Sequence, residues 1–223
     1  CQKALLKTKG RLSCTLLISL FLMIVGNFSL TAQKLIITEV VDGPGTGGNP
    51  KYVEIMNTSA TTIDLDGFIL NRYSNGSTSP SSSYTFSGFA LDAGEIVVLT
   101  GMDGVSADET WADYNLAEPA NVFYSVGTVN MNGDDGYAIE DTAGVILDEF
   151  IENGRAPAWN EPDNYRDSYA LRKAGADTPD SSYAFNQWYY PGRDFLAGEE
   201  ADLSPFVTPG THNPASPVYV SLG

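Results

Sequence analysis

From Leu35 to Phe150 hydrophobic and polar positions alternate in short runs broken by glycine, proline, asparagine and aspartate. In Lys51 to Asn57, Val53 and Ile55 alternate with Tyr52, Glu54 and Met56, the period of two that predicts a strand with Val53 and Ile55 on its inner face. Leu35 to Val41 is short and β-branched. It runs into Asp-Gly-Pro-Gly-Thr-Gly-Gly-Asn-Pro, which predicts a strand followed by an open loop. Ile63, Leu65, Phe68 and Leu70 surround Asp66-Gly67, where glycine admits a bend or bulge. Tyr84 to Phe86 and Glu95 to Thr100 read as further strands, the second introduced by the Asp92-Ala93-Gly94 turn. Tyr137 to Asp141 and Val145 to Phe150 form a predicted hairpin closed at Thr142-Ala143-Gly144, with Gly144 in the left-handed position. Its alternation places Ile139 inside, together with either Val145 and Leu147 or Ile146.

Elsewhere the pattern weakens. Asn75 to Ser83 is a serine-rich loop, and Gly101 to Ala120 is acidic and irregular, with a helical turn expected around Ala107 to Tyr114. Strand signals resume at Val122 to Val126. Beyond Asn153 loops dominate, yet Ser168 to Arg172 and Phe185 to Tyr190 still read as strands. No heptad or long amphipathic period appears. Many short strands with turns between them predict an all-β sandwich or barrel. The expected organisation is a sandwich over 33–153, an extension over 154–203 that packs on or completes it, and a Pro-rich linker or tail over 204–223 leading towards further domains.

The first 32 residues obey another rule. Lys3, Lys7, Lys9 and Arg11 precede an apolar run from Thr15 to Val25 and small residues up to Ala32, the layout of a secretory signal peptide. The competing reading, a membrane anchor, needs about 20 apolar residues, more than this run supplies. Cleavage after Ala32 is therefore expected, with a secreted, periplasmic or cell-surface destination and no transmembrane segment left. Cys14 lies ahead of the apolar run, where lipidation would serve no purpose. Cys1 stands where Met would open a reading frame, so the frame is expected to start upstream.

Composition then narrows the function classes. Net charge is −16 over the chain; past Ala32 eight basic residues face 28 acidic ones, a net −20. Such a surface repels phosphate backbones, which are bound by clustered Lys and Arg. Both cysteines precede residue 15, so a structural disulfide is excluded past the signal.

The motifs together resemble the lamin-tail domain, an immunoglobulin-like module first known from nuclear lamins and found also in bacterial extracellular proteins. LIITEV at Leu35 to Val40 looks like its opening strand, YVEIMN at Tyr52 to Asn57 like its Y-[IV]-E-[LI]-x-N motif, and IDLDGFIL at Ile63 to Leu70 like its D-L-x-G-[WF]-x-L motif. LDAGEIVVL is similar to the family's L-x-x-G-E strand entry, and NGDDGYAIEDTAGVILDEF to its G-D-x-x-x-L-x-D-x-x-G-x-x-[VL]-D hairpin. Phe68 stands where Trp is usual, Ile139 where Leu is usual, and Gly101 to Ala120 exceeds a minimal member. The resemblance implies an immunoglobulin-like β-sandwich with a partly irregular C-terminal extension. SYALRK, QWYYPGRDFL and TPGTHNP resemble segments C-terminal to the module in bacterial secreted proteins, some of which carry nuclease or other hydrolase domains elsewhere. That implies an accessory role and transfers no catalytic residue.

Candidate chemistry is sparse. His212 is the single histidine, in the Pro-rich tail, so Ser-His, Cys-His and ordinary zinc sites are removed. A carboxylate-only site remains open in principle. No cofactor is expected, with calcium as the exception: Asp134 and Asp135, in Asn-Gly-Asp-Asp-Gly, offer hard oxygen ligands on a flexible loop. The same residues are also good turn formers, as are Asp64 and Asp66. Trp159, Tyr165, Trp188, Tyr189 and Tyr190 form either an aromatic platform for a glycan or protein ligand or a closure of the sandwich core. Arg166, Arg172 and Arg193 are expected to pair with neighbouring acids. The expected function is a non-catalytic extracellular interaction module of a larger exported protein, with a protein or glycan ligand at the cell surface. The alternatives are a targeting domain of a secreted nuclease or other hydrolase, and a carbohydrate-binding or adhesion module.

Overall fold

Runs of β-branched and aromatic residues cut by turn residues build the strands of the computed structural model, which describes residues 34–212. The expected signal peptide (1–32) and residues 213–223 of the Pro-rich segment lie outside the described residues. In chain order the strands are β1 (Leu35–Asp42), β2 (Lys51–Asn57), β3 (Ile63–Asp64), β4 (Ile69–Tyr73), β5 (Ser82–Thr85), β6 (Ala90–Leu91), β7 (Ile96–Thr100), β8 (Val122–Phe123), β9 (Gly136–Glu140), β10 (Ile146–Phe150), β11 (Ser168–Arg172) and β12 (Trp188–Tyr189). They form a six-stranded sheet β12-β11-β1-β2-β7-β8, a four-stranded sheet β10-β9-β4-β5 and a small β3-β6 pair. Every pairing is antiparallel except β7 with β8. The result is the all-β immunoglobulin-like sandwich that the motif order implies. Among the described residues no helix is long and apolar enough to cross a membrane.

One core lies between the sheets. Leu35, Ile37, Val40, Val53, Ile55, Val97 and Leu99 from the larger sheet meet Leu70, Tyr137, Ile139 and Phe150 from the smaller. Val53 and Ile55 are thus on the inner face. The inward positions of β1 change parity because its register with β2 slips between Ile37 and Glu39, so that Ile37 and Val40 both point inward. The slip leaves Ile37 N–H free of the ladder, and it donates to Asp148 Oδ2 at 2.9 Å.

Asp148 sits opposite Ile139 in the β9–β10 hairpin, a position that faces the core. Its carboxylate is neutralised there by Arg172 of β11 at 2.6 Å, and both side chains are closed to solvent. Asp148 Oδ1 accepts from Asp180 N–H, and Arg172 also donates to Ala176 O and Gln187 Oε1, so the pair ties the two sheets and the 173–187 loop together. Burial pushes the Asp148 carboxyl up to about 6, against the opposing pull of Arg172. The hairpin turn has Gly144 at φ +77° as expected, but Val145 is 55% exposed. The inward set is therefore Ile139, Asp148 and Phe150, with Leu147 packing at the edge of the core, because β10 has its own register slip between Ile146 and Asp148.

Two motif residues have mechanical explanations. Asn57 is buried and its amide donates to Thr61 O, Leu91 O and Asp92 O, while its Oδ1 accepts from Ser59 N–H. It pins the 58–62 loop to the β6–β7 turn. Gly67 has φ +82° in the bend that seats Leu65 and Phe68 in the core, and Asp66 Oδ1 accepts from Gly88 N–H.

The outer faces differ. On the smaller sheet a polar chain runs from Ser83 through Asn71 to Glu140, suited to water. On the larger sheet Val41, Tyr52, Val98 and Tyr169 are buried under a second apolar layer, made by Met102, Trp111, Tyr114 and Leu116 on one side and Leu196, Leu203 and Val207 on the other. The irregular 101–120 segment supplies the first group through a 3-10 turn, Trp111–Tyr114, closed by a capping box between Thr110 and Asp113. Leu203 N–H donates to Tyr114 O and joins the two groups. The strap over 195–210 continues past the linker boundary expected at Ser204: Val207 is buried, Thr208 N–H donates to Glu39, and Gly210 N–H donates to Glu54 Oε2. Prolines in this stretch shape a packed strap, because the outward face of β1, β2 and β7 is too apolar to remain open.

Candidate functional site

Three segments converge at one end of the sandwich. The β1–β2 loop contributes Gly47 and Gly48, the turn before β9 contributes Asn132 and Asp134, and the extension contributes Trp159, Asn164, Arg166 and Asp167. They enclose a pocket of about 460 Å³ with Asp42 and Lys51 at its base. Asp42 and Lys51 are register partners at the loop ends of β1 and β2, which brings their charges to 3.5 Å. Lys51 Nζ also donates to Met131 O. Burial pushes the Asp42 carboxyl up to about 7; Lys51 pulls it down, and Asp167 pushes it further up.

The extension is fixed to the turn by backbone. Tyr165 N–H donates to Gly133 O at 2.9 Å and Tyr165 Oη–H donates to Asp135 O at 2.7 Å. Gly133 has φ +89°, and a Cβ there would stand 2.2 Å from Arg166 N. Only glycine admits the close approach that builds this wall. A second hollow of about 320 Å³ adjoins the first, sharing Gly47 and Lys51 with it and bounded by Asn49, Gly101, Glu109, Ser125, Gly127 and Asn130.

The sequence-predicted residues scatter. Asp134 lines the pocket, with its Oδ1 shielded from water and lacking a protein partner, and burial raises its pKa. Asp135 turns away: it is buried, its Oδ1 accepts from Asn75 N–H at 3.0 Å, and burial raises its pKa too. Among the described residues no three His, Cys, Asp or Glu side chains gather as a metal group would require.

The five aromatics form no common platform. Trp188 is 1% exposed and packs edge-on to Phe150 at 4.7 Å, with Arg172 over its ring at 5.3 Å. Tyr165 is a core residue against Phe150. Tyr190 stacks on Phe185 and its hydroxyl meets that of Tyr183 at 2.9 Å. Tyr189 points to the opposite face of the sheet, beside Tyr169. The alternation of β12 separates Trp188 from Tyr189. Trp159 alone stands out at 59% exposed, with the Arg193 guanidinium carbon 3.2 Å from its ring centroid and that of Arg166 at 5.1 Å. The three arginines do pair with acids: Arg166 with Asp167 at 3.6 Å, Arg172 with Asp148, and Arg193 with Asp194 at 2.7 Å.

Sequence reasoning missed Asp42, Lys51, Asn132, Asn164 and Asp167 as lining residues. The available signal was the glycine-rich 43–50 loop, too long for a hairpin connection and therefore free to form a lip.

The family model of the Lamin Tail Domain matches residues 29–154. No curated protein matches the chain. Among solved structures, one similar chain is a DUF4876 family protein from Bacteroides thetaiotaomicron VPI-5482, 16% identical with a TM-score of 0.34, the match covering 59% of this chain and 45% of that one.

Proposed function

The chain belongs to the lamin tail domain family, and from that membership together with the pocket at the loop end we propose that it is an extracellular, non-catalytic interaction module that takes its ligand there. Membership supports an interaction role in general. The observation that carries the location is the convergence of three chain segments around one polar pocket beside an exposed, stacked Trp159. Binding residues concentrate on loops positioned by a rigid scaffold, and here the scaffold is the doubly covered six-stranded sheet. Three buried acids away from the pocket serve structure: Asp148 is matched by Arg172, and Glu39 and Glu54 accept strap amides. Export rests on the basic start and apolar run of residues 1–32.

The test pairs two measurements on the purified chain. Retention on isolated cell-envelope and matrix preparations is expected, and it should fall on Trp159→Ala. Assays with nucleic acid, peptide and polysaccharide substrates are expected to show no turnover. Turnover lost on changing a single Asp or Glu would overturn the non-catalytic reading, and retention indifferent to Trp159 would overturn the location.

A further inference from the structure

We propose that the loop-end groove is a binding site for a neutral oligosaccharide long enough to span both hollows. The proposal rests on the module reading and specifies its ligand. The two hollows, about 460 and 320 Å³, share Gly47 and Lys51 in their walls and so lie side by side, an arrangement that suits an extended ligand reaching over both better than a compact one. Their sizes fall in the range of ordinary small-ligand sites, about 300 to 1,000 Å³.

The chemistry of the walls selects the class. Trp159 is the single large apolar side chain among the lining residues, which disfavours a lipid or an apolar peptide. Four carboxylates, those of Asp42, Glu109, Asp134 and Asp167, outnumber the two cations Lys51 and Arg166, so phosphorylated, sulfated and polyuronic chains are repelled. A basic peptide is poorly served as well. Lys51 already occupies Asp42, Arg166 lies near Asp167, and Glu109 Oε2 accepts from Asp103 N–H.

What remains open to a ligand is neutral hydrogen-bonding capacity: the exposed amides of Asn130 and Asn132 and the glycine-lined backbone of the β1–β2 loop. Closely spaced hydroxyls that both donate and accept match such a surface. The Trp159 ring is held by the guanidinium of Arg193 at 3.2 Å, with that of Arg166 at 5.1 Å, and is still 59% exposed, so the apolar C–H face of a sugar ring can contact the exposed part of an indole that needs little further ordering.

Glycan-array screening of the full chain, followed by titration calorimetry with the neutral oligosaccharides that bind, tests the site. Affinity should rise from the mono- to the oligosaccharide. Trp159→Ala should weaken binding at least about tenfold, the scale of a binding hot spot, Trp159→Phe should restore part of it, and Asn132→Ala should weaken it several-fold. Phe185→Ala, exposed but outside the groove, should leave it unchanged, and circular dichroism should show all four variants folded. Binding confined to sulfated or uronic glycans would overturn the proposal, as would affinity indifferent to both Trp159 and Asn132. Absence of any glycan binding alongside Trp159-dependent capture of a basic peptide or a protein would overturn it while leaving the module reading intact. Absence of every kind of binding would remove both.

Discussion

Glu39 and Glu54 stand opposite each other on β1 and β2, both buried, each accepting a hydrogen bond from a backbone amide of the same strap, Thr208 for Glu39 and Gly210 for Glu54. Desolvation raises both carboxyls: Glu54 to about 7, and Glu39 well above its ordinary range, with Glu54 adding repulsion. Thr38 Oγ1–H donates to Glu54 Oε1 and offsets part of the cost.

This pair gives the pH dependence a definite sign. The folded state holds protons that the unfolded chain, with ordinary glutamates, releases, so stability falls as pH rises from about 4.5 through about 7. Asp42, raised to about 7, adds the same sign. Unfolding by denaturant at pH 5 and pH 8 should show lower stability at pH 8. Glu39→Gln should raise stability at pH 8 relative to the parent chain and flatten the slope. An unchanged slope would mean that other groups set it.

Breaking the pair between the sheets should be costly. Asp148→Asn leaves Arg172 buried without its counter-charge and should remove about 3 to 5 kcal/mol of stability. The double change Asp148→Leu with Arg172→Met should cost clearly less than the sum of the two single changes, a coupling that a double-mutant cycle of chemical denaturation measures.

The hairpin offers a contrast within a few residues. Ile139→Asp, in the core, should cost more than about 3 kcal/mol or prevent folding, whereas Val145→Asp on the exposed turn should change stability by no more than about 0.5 kcal/mol. Melting temperatures of the two variants check both.

The strap should contribute as much as an ordinary piece of core. Leu203 is fully buried against the outer layer, so Leu203→Ala should cost about 2 to 5 kcal/mol. A loss below about 0.5 kcal/mol would show the strap to be dispensable.

Cleavage after Ala32 is the expected processing event, on the basic and apolar pattern of residues 1–32. N-terminal sequencing of exported protein should begin at Gln33, and retention of Lys3 to Arg11 would count against it.

The strands were legible because their alternation is imposed by a single core: Val53, Ile55 and Ile139 were placed inward from period alone, and Gly67 and Gly144 were recognised at their turns. The hairpin's inward set was only partly legible, since a one-residue slip reverses parity and leaves no mark in composition; it turned Asp148, rather than Val145, Ile146 or Leu147, inward opposite Ile139. The site was less legible still. Its walls come from segments more than 100 residues apart in the chain, at Asp42 and at Trp159, and adjacency of that kind is written in the topology of the sheets. Trp159 and Trp188 look equivalent in sequence, and only strand pairing makes one core and leaves the other exposed.

The apolar layer over the outer face of the six-stranded sheet also fixes how the module can be transplanted. A fragment cut at residue 154, where the family match stops, would lack β11, β12 and the strap, stripping Val41, Tyr52 and Val98 of the cover given by Leu196, Leu203 and Val207 and wetting Glu39 and Glu54. Such a fragment would carry a sticky apolar sheet and would self-associate. The portable unit for grafting or expression reaches at least to Gly210, and fusion partners belong beyond that point.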